Sequence, residues 1–105
     1  MQILHTTFPT WRELRILESS PGGASSEKLR KECRGYVGTH YFKYVDPGKY
    51  EDGWRCENLE KLTFDNETFD LVVTQDVFEH ILNPGKAFAE VGRVLKPGGA
   101  HVFTV

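Results

Sequence analysis

Apolar and polar positions along the chain change their period several times, and the changes fall at clusters of Gly and Pro. Arg15-Ile16-Leu17-Glu18 is a short apolar-centred run closed by Ser19-Ser20-Pro21-Gly22-Gly23, the pattern of a strand emptying into a turn. Ser25 or Ser26 then offers a capping hydroxyl, Glu27 suits the positive end of a helix dipole, and Leu29 and Cys33 share one face, which predicts a helix stopped by Gly35. Tyr36-Val37-Gly38-Thr39 predicts a second strand and Trp54-Arg55-Cys56-Glu57 a third, across a stretch from Asp46 to Gly53 that has no clear period. Phe69-Asp70-Leu71-Val72-Val73-Thr74 carries adjacent apolar β-branched residues, as expected of a central parallel strand covered on both faces. A short helix is predicted from Asp76 to Leu82, ended by Asn83. A longer one follows from Pro84 to about Lys96, with Asn83 as cap, Phe88, Val91 and Leu95 aligned beside Ala87 and Val94, and Lys86, Glu90 and Arg93 outside. Pro97-Gly98-Gly99 breaks it, and His101 to Val105 alternates as a last strand. Near the start, Thr10-Trp11-Arg12-Glu13 has the spacing of a capping box, enough for one turn.

Strands separated by helices require right-handed crossovers, so the expected fold class is α/β, a three-layer, mainly parallel sheet between helical layers. Ligands of such sheets bind beyond the carboxyl ends of the strands, which directs attention to the segments after Glu18, Thr39, Glu57 and Thr74. The length of 105 residues fits one domain, residues 1–105, with residues 1–14 as a lead-in.

Composition narrows the function. With 39% apolar and 27% charged residues the chain has the balance of a globular protein that can collapse. A net charge of -2 gives no source for counterion-release binding, so no nucleic-acid partner is expected. No apolar run is long enough to span a bilayer and the first ten residues lack a signal-peptide plan, so neither a membrane role nor export is expected and the protein is placed in the cytoplasm. Cys33 and Cys56 stand alone without metal-ligand spacing, which reads as two buried thiols and no metal site. Phe64, Phe69, Phe78, Phe88 and Phe103 are read as core.

Three ordered stretches are more specific. Asn58 to Phe64, Phe69 to Ile81 (FDLVVTQDVFEHI) and Arg93 to Gly99 (RVLKPGG) resemble the class I S-adenosylmethionine-dependent methyltransferases, in the branch called type 11. The resemblance runs from about Arg15 to Val105 and implies a Rossmann-like sheet, here expected to lack the last two strands of that fold. An exposed last edge would then belong to a shortened form or to a homo-oligomer paired through it. The implied cofactor is S-adenosylmethionine and the implied reaction is methyl transfer to an unidentified small-molecule substrate. The alternative is an inactive binding or regulatory module on the same fold. An oxidoreductase with a dinucleotide sheet is disfavoured, since a GxGxxG loop is absent.

The resemblance also implies cofactor-binding residues. Glu18 to Ala24 stands where the family has an acidic residue followed by alternating glycines, so Glu18 would meet the methionyl amino group, and Ser20 and Gly22 would lie beside the cofactor. The same residues also suit an ordinary strand-to-helix turn. His40 falls where the family has a carboxylate for the ribose hydroxyls, and a neutral imidazole can accept one such bond, unless it is only a surface residue opening a loop. Asn58 stands for an aspartate that binds the adenine amino group, with Leu59 as an apolar wall and Glu57 as a compensating acceptor, or else it caps the following turn. Thr74 and Gln75 would flank the methionyl arm. His80 is the one candidate for a catalytic base, against the reading that it packs at a helix end. Methyl transfer from an activated sulfonium chiefly needs alignment, so a missing catalytic triad does not count against it.

Overall fold

The structure is a computed structural model that describes residues 11–21, 23–75 and 81–104. After a single 3-10 turn at Trp11–Glu13 come β1 (Arg15–Ser19), α1 (Gly23–Glu32), β2 (Gly35–His40), β3 (Tyr50–Glu51), β4 (Trp54–Cys56), β5 (Phe69–Gln75), α2 (Pro84–Val94) and β6 (Leu95–Thr104). The strands form one six-stranded sheet in the order β3-β4-β2-β1-β5-β6, parallel throughout except for the antiparallel β3–β4 hairpin. The fold class is the expected one, and β5 lies between β1 and β6.

Alternation along β1 explains the layers. Ile16 joins Leu29, Cys33, Leu71 and Val73 in a core under α1, whereas Leu17 joins Phe69, Val72, Ala87, Val91 and Val94 in a second core under α2. One helix therefore covers each face of the sheet. Cys33 and Cys56 are both buried free thiols, as the sequence suggested.

Several boundaries differ from the sequence reading. Helix α1 starts at Gly23, so Ser25 and Ser26 lie inside its first turn and neither is the cap. It ends at Glu32, and Gly35 opens β2. A Cβ at Gly35 would lie 2.8 Å from the Leu14 carbonyl oxygen, so glycine is needed there for close strand approach and not as a helix stop. Helix α2 has its Asn83 cap, whose side chain accepts from the Lys86 N–H, but it stops at Val94, and Lys96 lies in β6. Pro97-Gly98-Gly99 forms an irregularity inside β6, between the pairs Phe69–Leu95 and Leu71–Ala100. Gly98 has φ of +82°, and a Cβ on Gly99 would meet the Lys96 carbonyl oxygen at 2.9 Å.

Phe88 is 43% exposed and not core, because α2 turns Ala87, Val91 and Val94 toward the sheet instead. Phe64 and Phe69 pack edge to face at 4.9 Å, as core aromatics should. The β3–β4 hairpin was not anticipated. Its two-residue loop, Asp52-Gly53, has positive φ at both positions, 52° and 82°. The Thr10 cap, residues 76–80 of the helix expected from Asp76 to Leu82 and the side chains of Phe78 and Phe103 lie outside what is described, while Ile81 and Leu82, the expected end of that helix, are not helical. No helix among the described residues is long and apolar enough to cross a membrane.

Candidate functional site

Parallel pairing puts the carboxyl ends of β1, β2, β4 and β5 at one end of the sheet. Ser19 is level with Thr39 on one side and Thr74 on the other, and His40 is level with Cys56. A cavity of about 420 Å³ opens at this end, walled by Ser19 and Ser20 after β1, His40 and Tyr41 after β2, and Glu57 to Glu60 after β4. Ile81 and Leu82 close its far side. The size suits a nucleoside-scale ligand. It lies where ligands of open α/β sheets bind.

Ser20 and His40, singled out separately in the sequence, touch each other. The Ser20 Oγ lies 2.7 Å from the His40 Nδ1. The imidazole also has the rings of Phe42 and Trp54 edge-on at 6.1 and 5.6 Å. Burial pushes its pKa below the ordinary histidine value, against a weaker upward pull from Glu18.

Asn58 uses its side-chain oxygen to accept the Glu60 N–H at 2.9 Å, so the turn-capping alternative is realised here. Its NH₂ group and the second lone pair of that oxygen are what the side chain has left to offer a ligand. Glu57 is buried and does not serve as a spare acceptor. Its carboxylate takes the Arg55 Nε–H at 2.8 Å, the Thr63 N–H at 2.9 Å and the Thr63 hydroxyl at 2.5 Å, which fixes the chain from residue 57 to 63. Leu59 is an apolar wall of the cavity and part of the core under α2.

Glu18 and Thr74 are not among the cavity's walls. Glu18 faces the α1 side, fully buried, and accepts the Tyr36 hydroxyl at 2.7 Å. Burial first, and this hydrogen bond second, hold the Tyr36 phenol well above its ordinary pKa. The Thr74 hydroxyl pairs with the His101 Nε2 at 2.9 Å inside the sheet layer. Gln75 ends β5, while Gly22 and His80 lie outside the described residues. Sequence reading did not single out Tyr41, Glu60, Ile81 or Leu82, since their place in the cavity follows from where connections cross the strand tips. Among the described residues no cluster of His, Cys, Asp or Glu is arranged to hold a metal.

A second groove, about 470 Å³, runs between the last turn of α1 and the β3–β4 hairpin, away from the strand tips. Its cations include Arg30 and Lys31, which complement the negative end of the α1 dipole.

Residues 18–103 match a family described as a methyltransferase domain. The chain belongs to this family. Its members among the structural neighbours are class I S-adenosylmethionine-dependent methyltransferases, which agrees with the strand order and with the stretches from Asn58 to Gly99. A ubiquinone biosynthesis O-methyltransferase from Coxiella burnetii is 29% identical over 91 residues, covering 79% of this chain and 39% of the relative. A solved protein from Pyrococcus horikoshii superposes with a TM-score of 0.73 at 25% identity, covering 97% of this chain and 52% of that one. An S-adenosylmethionine-dependent methyltransferase from Mesorhizobium loti gives 0.70 at 22% identity, with 97% and 51% covered. The chain thus spans 39% of the length of the Coxiella relative and about half of these two solved chains.

Proposed function

We propose that this methyltransferase domain binds S-adenosylmethionine in the cleft at the strand tips and serves methyl transfer to a small-molecule acceptor. The observation that carries this reading is that Ser20, His40, Asn58 and Leu59, chosen from sequence alone, share one cavity of about 420 Å³.

The residues present fit the group. Asn58 NH₂ and the Leu59 wall suit a purine edge and face, and the Ser20–His40 pair suits a hydroxylated sugar. Glu18, held by Tyr36 behind the strand tips, contributes through the local field and not as a wall. Thr74 and Gln75 place the end of β5 beside the turn that leaves β1, which limits how far a bound chain can swing between them. When bound, S-adenosylmethionine supplies an activated methyl on a sulfonium, so the protein's task is alignment and exclusion of water. His80 is kept as the candidate base for an incoming hydroxyl or amine.

For the acceptor, the mouth of the cleft supports a compound with an apolar, ring-bearing body. Tyr41 and Leu82, which line it, are 62% and 97% exposed. The name of the Coxiella relative points the same way.

Calorimetric titration with S-adenosylmethionine and with S-adenosylhomocysteine tests the binding reading. Heat of binding is expected for both, and Ser20→Trp, which fills the cavity at its β1 wall, should weaken both at least roughly tenfold. Absence of heat and of thermal stabilisation at millimolar ligand would overturn it. Binding without methyl transfer to any phenolic acceptor would favour the inactive-module alternative.

A further inference from the structure

We infer that His40, held by Ser20, sets how strongly the cleft prefers the sulfonium cofactor over its demethylated product, which lacks the sulfonium charge. The inference rests on the reading that the cleft holds S-adenosylmethionine. It concerns the charge of the wall and goes beyond occupancy.

His40 is the one side chain among the described lining residues that can become a cation, and the lining acids are Glu57 and Glu60. Arg55 neutralises Glu57 with a contact of 2.8 Å. With the ring neutral, the described part of the cavity wall therefore carries no positive charge, and a sulfonium meets no repulsion from it. With the ring protonated, a positive charge sits in the wall of a cavity only about 420 Å³ in size, too small for two cations inside it to be screened apart.

The hydrogen bond to Ser20 fixes where the ring stands. When Nδ1 accepts the Ser20 hydroxyl proton, Nε2 carries the remaining hydrogen and acts as a donor to an oxygen of the ligand. Protonation turns Nδ1 into a donor, so Ser20 must rotate its own proton away and accept instead. The pair therefore stays assembled in both states and only its charge changes.

Among the described residues, the groups facing the ring from neighbouring elements are few. Glu18 of β1 acts on it through space, and Glu57, whose N–H donates to the His40 carbonyl oxygen, follows β4. Phe42 and Trp54 present ring edges, and Arg30 of α1 stacks over the Trp54 ring at 4.7 Å. None of the other titratable groups changes in a variant at position 40, so their own titration cancels between wild type and variant.

Sulfonium and thioether ligands share the same adenosine, amino and carboxyl groups and differ by one charge. The ratio of their dissociation constants isolates that charge. At an effective dielectric constant near 20, two charges about 8 Å apart change a binding constant by roughly thirtyfold, which salt screening over a Debye length of about 8–10 Å brings down to roughly five- to tenfold. Calorimetry with the two ligands at one pH well above and one well below the His40 pKa read by NMR should show the preference for S-adenosylmethionine falling by roughly five- to tenfold in the wild type, and by less than about twofold in His40→Gln.

In parallel, NMR titration of the His40 ring in the wild type should show its pKa falling further with S-adenosylmethionine than with S-adenosylhomocysteine, a readout that needs no variant to fold. An equal change in the His40→Gln protein, a wild-type ratio that ignores pH, or equal shifts of the ring by the two ligands would overturn the inference while leaving cofactor binding standing. Failure of both ligands to bind at either pH would instead overturn the functional reading and this inference with it.

Discussion

At Gly38 the absence of a side chain organises the face of the sheet that carries the motif carboxylate. A Cβ there would stand 2.5 Å from the Trp54 Cζ3 and 2.9 Å from the Tyr36 hydroxyl. Trp54 packs over β2 because that space is empty, and the Tyr36 phenol reaches Glu18 through the same gap. Gly38→Ala should therefore shift both rings and lower stability by about 1–3 kcal/mol in urea denaturation, and an unchanged midpoint would show that the indole moves aside freely. Glu18 was legible in the sequence as the acid near the end of β1. Tyr36 was not legible as its partner, because the contact depends on register, with Glu18 level with Gly38 and Tyr36 two positions earlier on the same face. The Ser20–His40 bond escaped for the same reason, since spacing along a chain does not say which strand tips meet.

Arg93 joins elements in a way its helical position does not suggest. The sequence placed it on the outer face of α2 beside Glu90, and the pair is there, at 2.6 Å. Its guanidinium also donates to the Phe64 and Leu62 carbonyl oxygens at 2.8 and 3.0 Å and to the Asn66 side chain at 2.9 Å, so it clamps the long connection before β5 onto the helix. Glu90 completes the clamp by accepting the Leu62 N–H.

Replacing Arg93 by Met keeps much of the stem but leaves these acceptors without their donor, and should cost about 1.5–3 kcal/mol. Hydrogen exchange should then quicken from residue 60 to 68; protection unchanged there would refute the clamp. The main strands and α2 were legible because burial on a two-sided sheet forces apolar runs and a helix face forces its own period. The hairpin carried its signal openly in Asp52-Gly53, but two-residue strands are too short to show alternation. Phe88 was misread because the apolar stripe of α2 is wider than the part that meets the sheet.

At the scale of the whole molecule, two of the described histidines tie the fold to pH. Burial lowers the pKa of both His40 and His101 below the ordinary histidine value. Between those lowered values and the unfolded value of about 6.5, the unfolded chain binds more protons than the folded one, so stability rises with pH across that window. The contribution is whole above about pH 6.5 and is lost as pH falls through the folded values. Glu90, lowered chiefly by its hydrogen bond from Arg93, adds a loss of the same sign in stronger acid. The thermal midpoint should hold level above about pH 6.5 and fall as pH drops below it, and His101→Gln should flatten part of that fall. A wild-type profile that stays level below about pH 6.5 would contradict the desolvation of these two half-buried imidazoles.

The indole of Trp54 stands edge-on 5.6 Å from the His40 ring. A charged imidazole at such range quenches indole emission more strongly than a neutral one. The Trp54 share of the emission should therefore dim as the neighbouring ring takes up a proton, an optical gauge beside the cleft that needs no dye to be read.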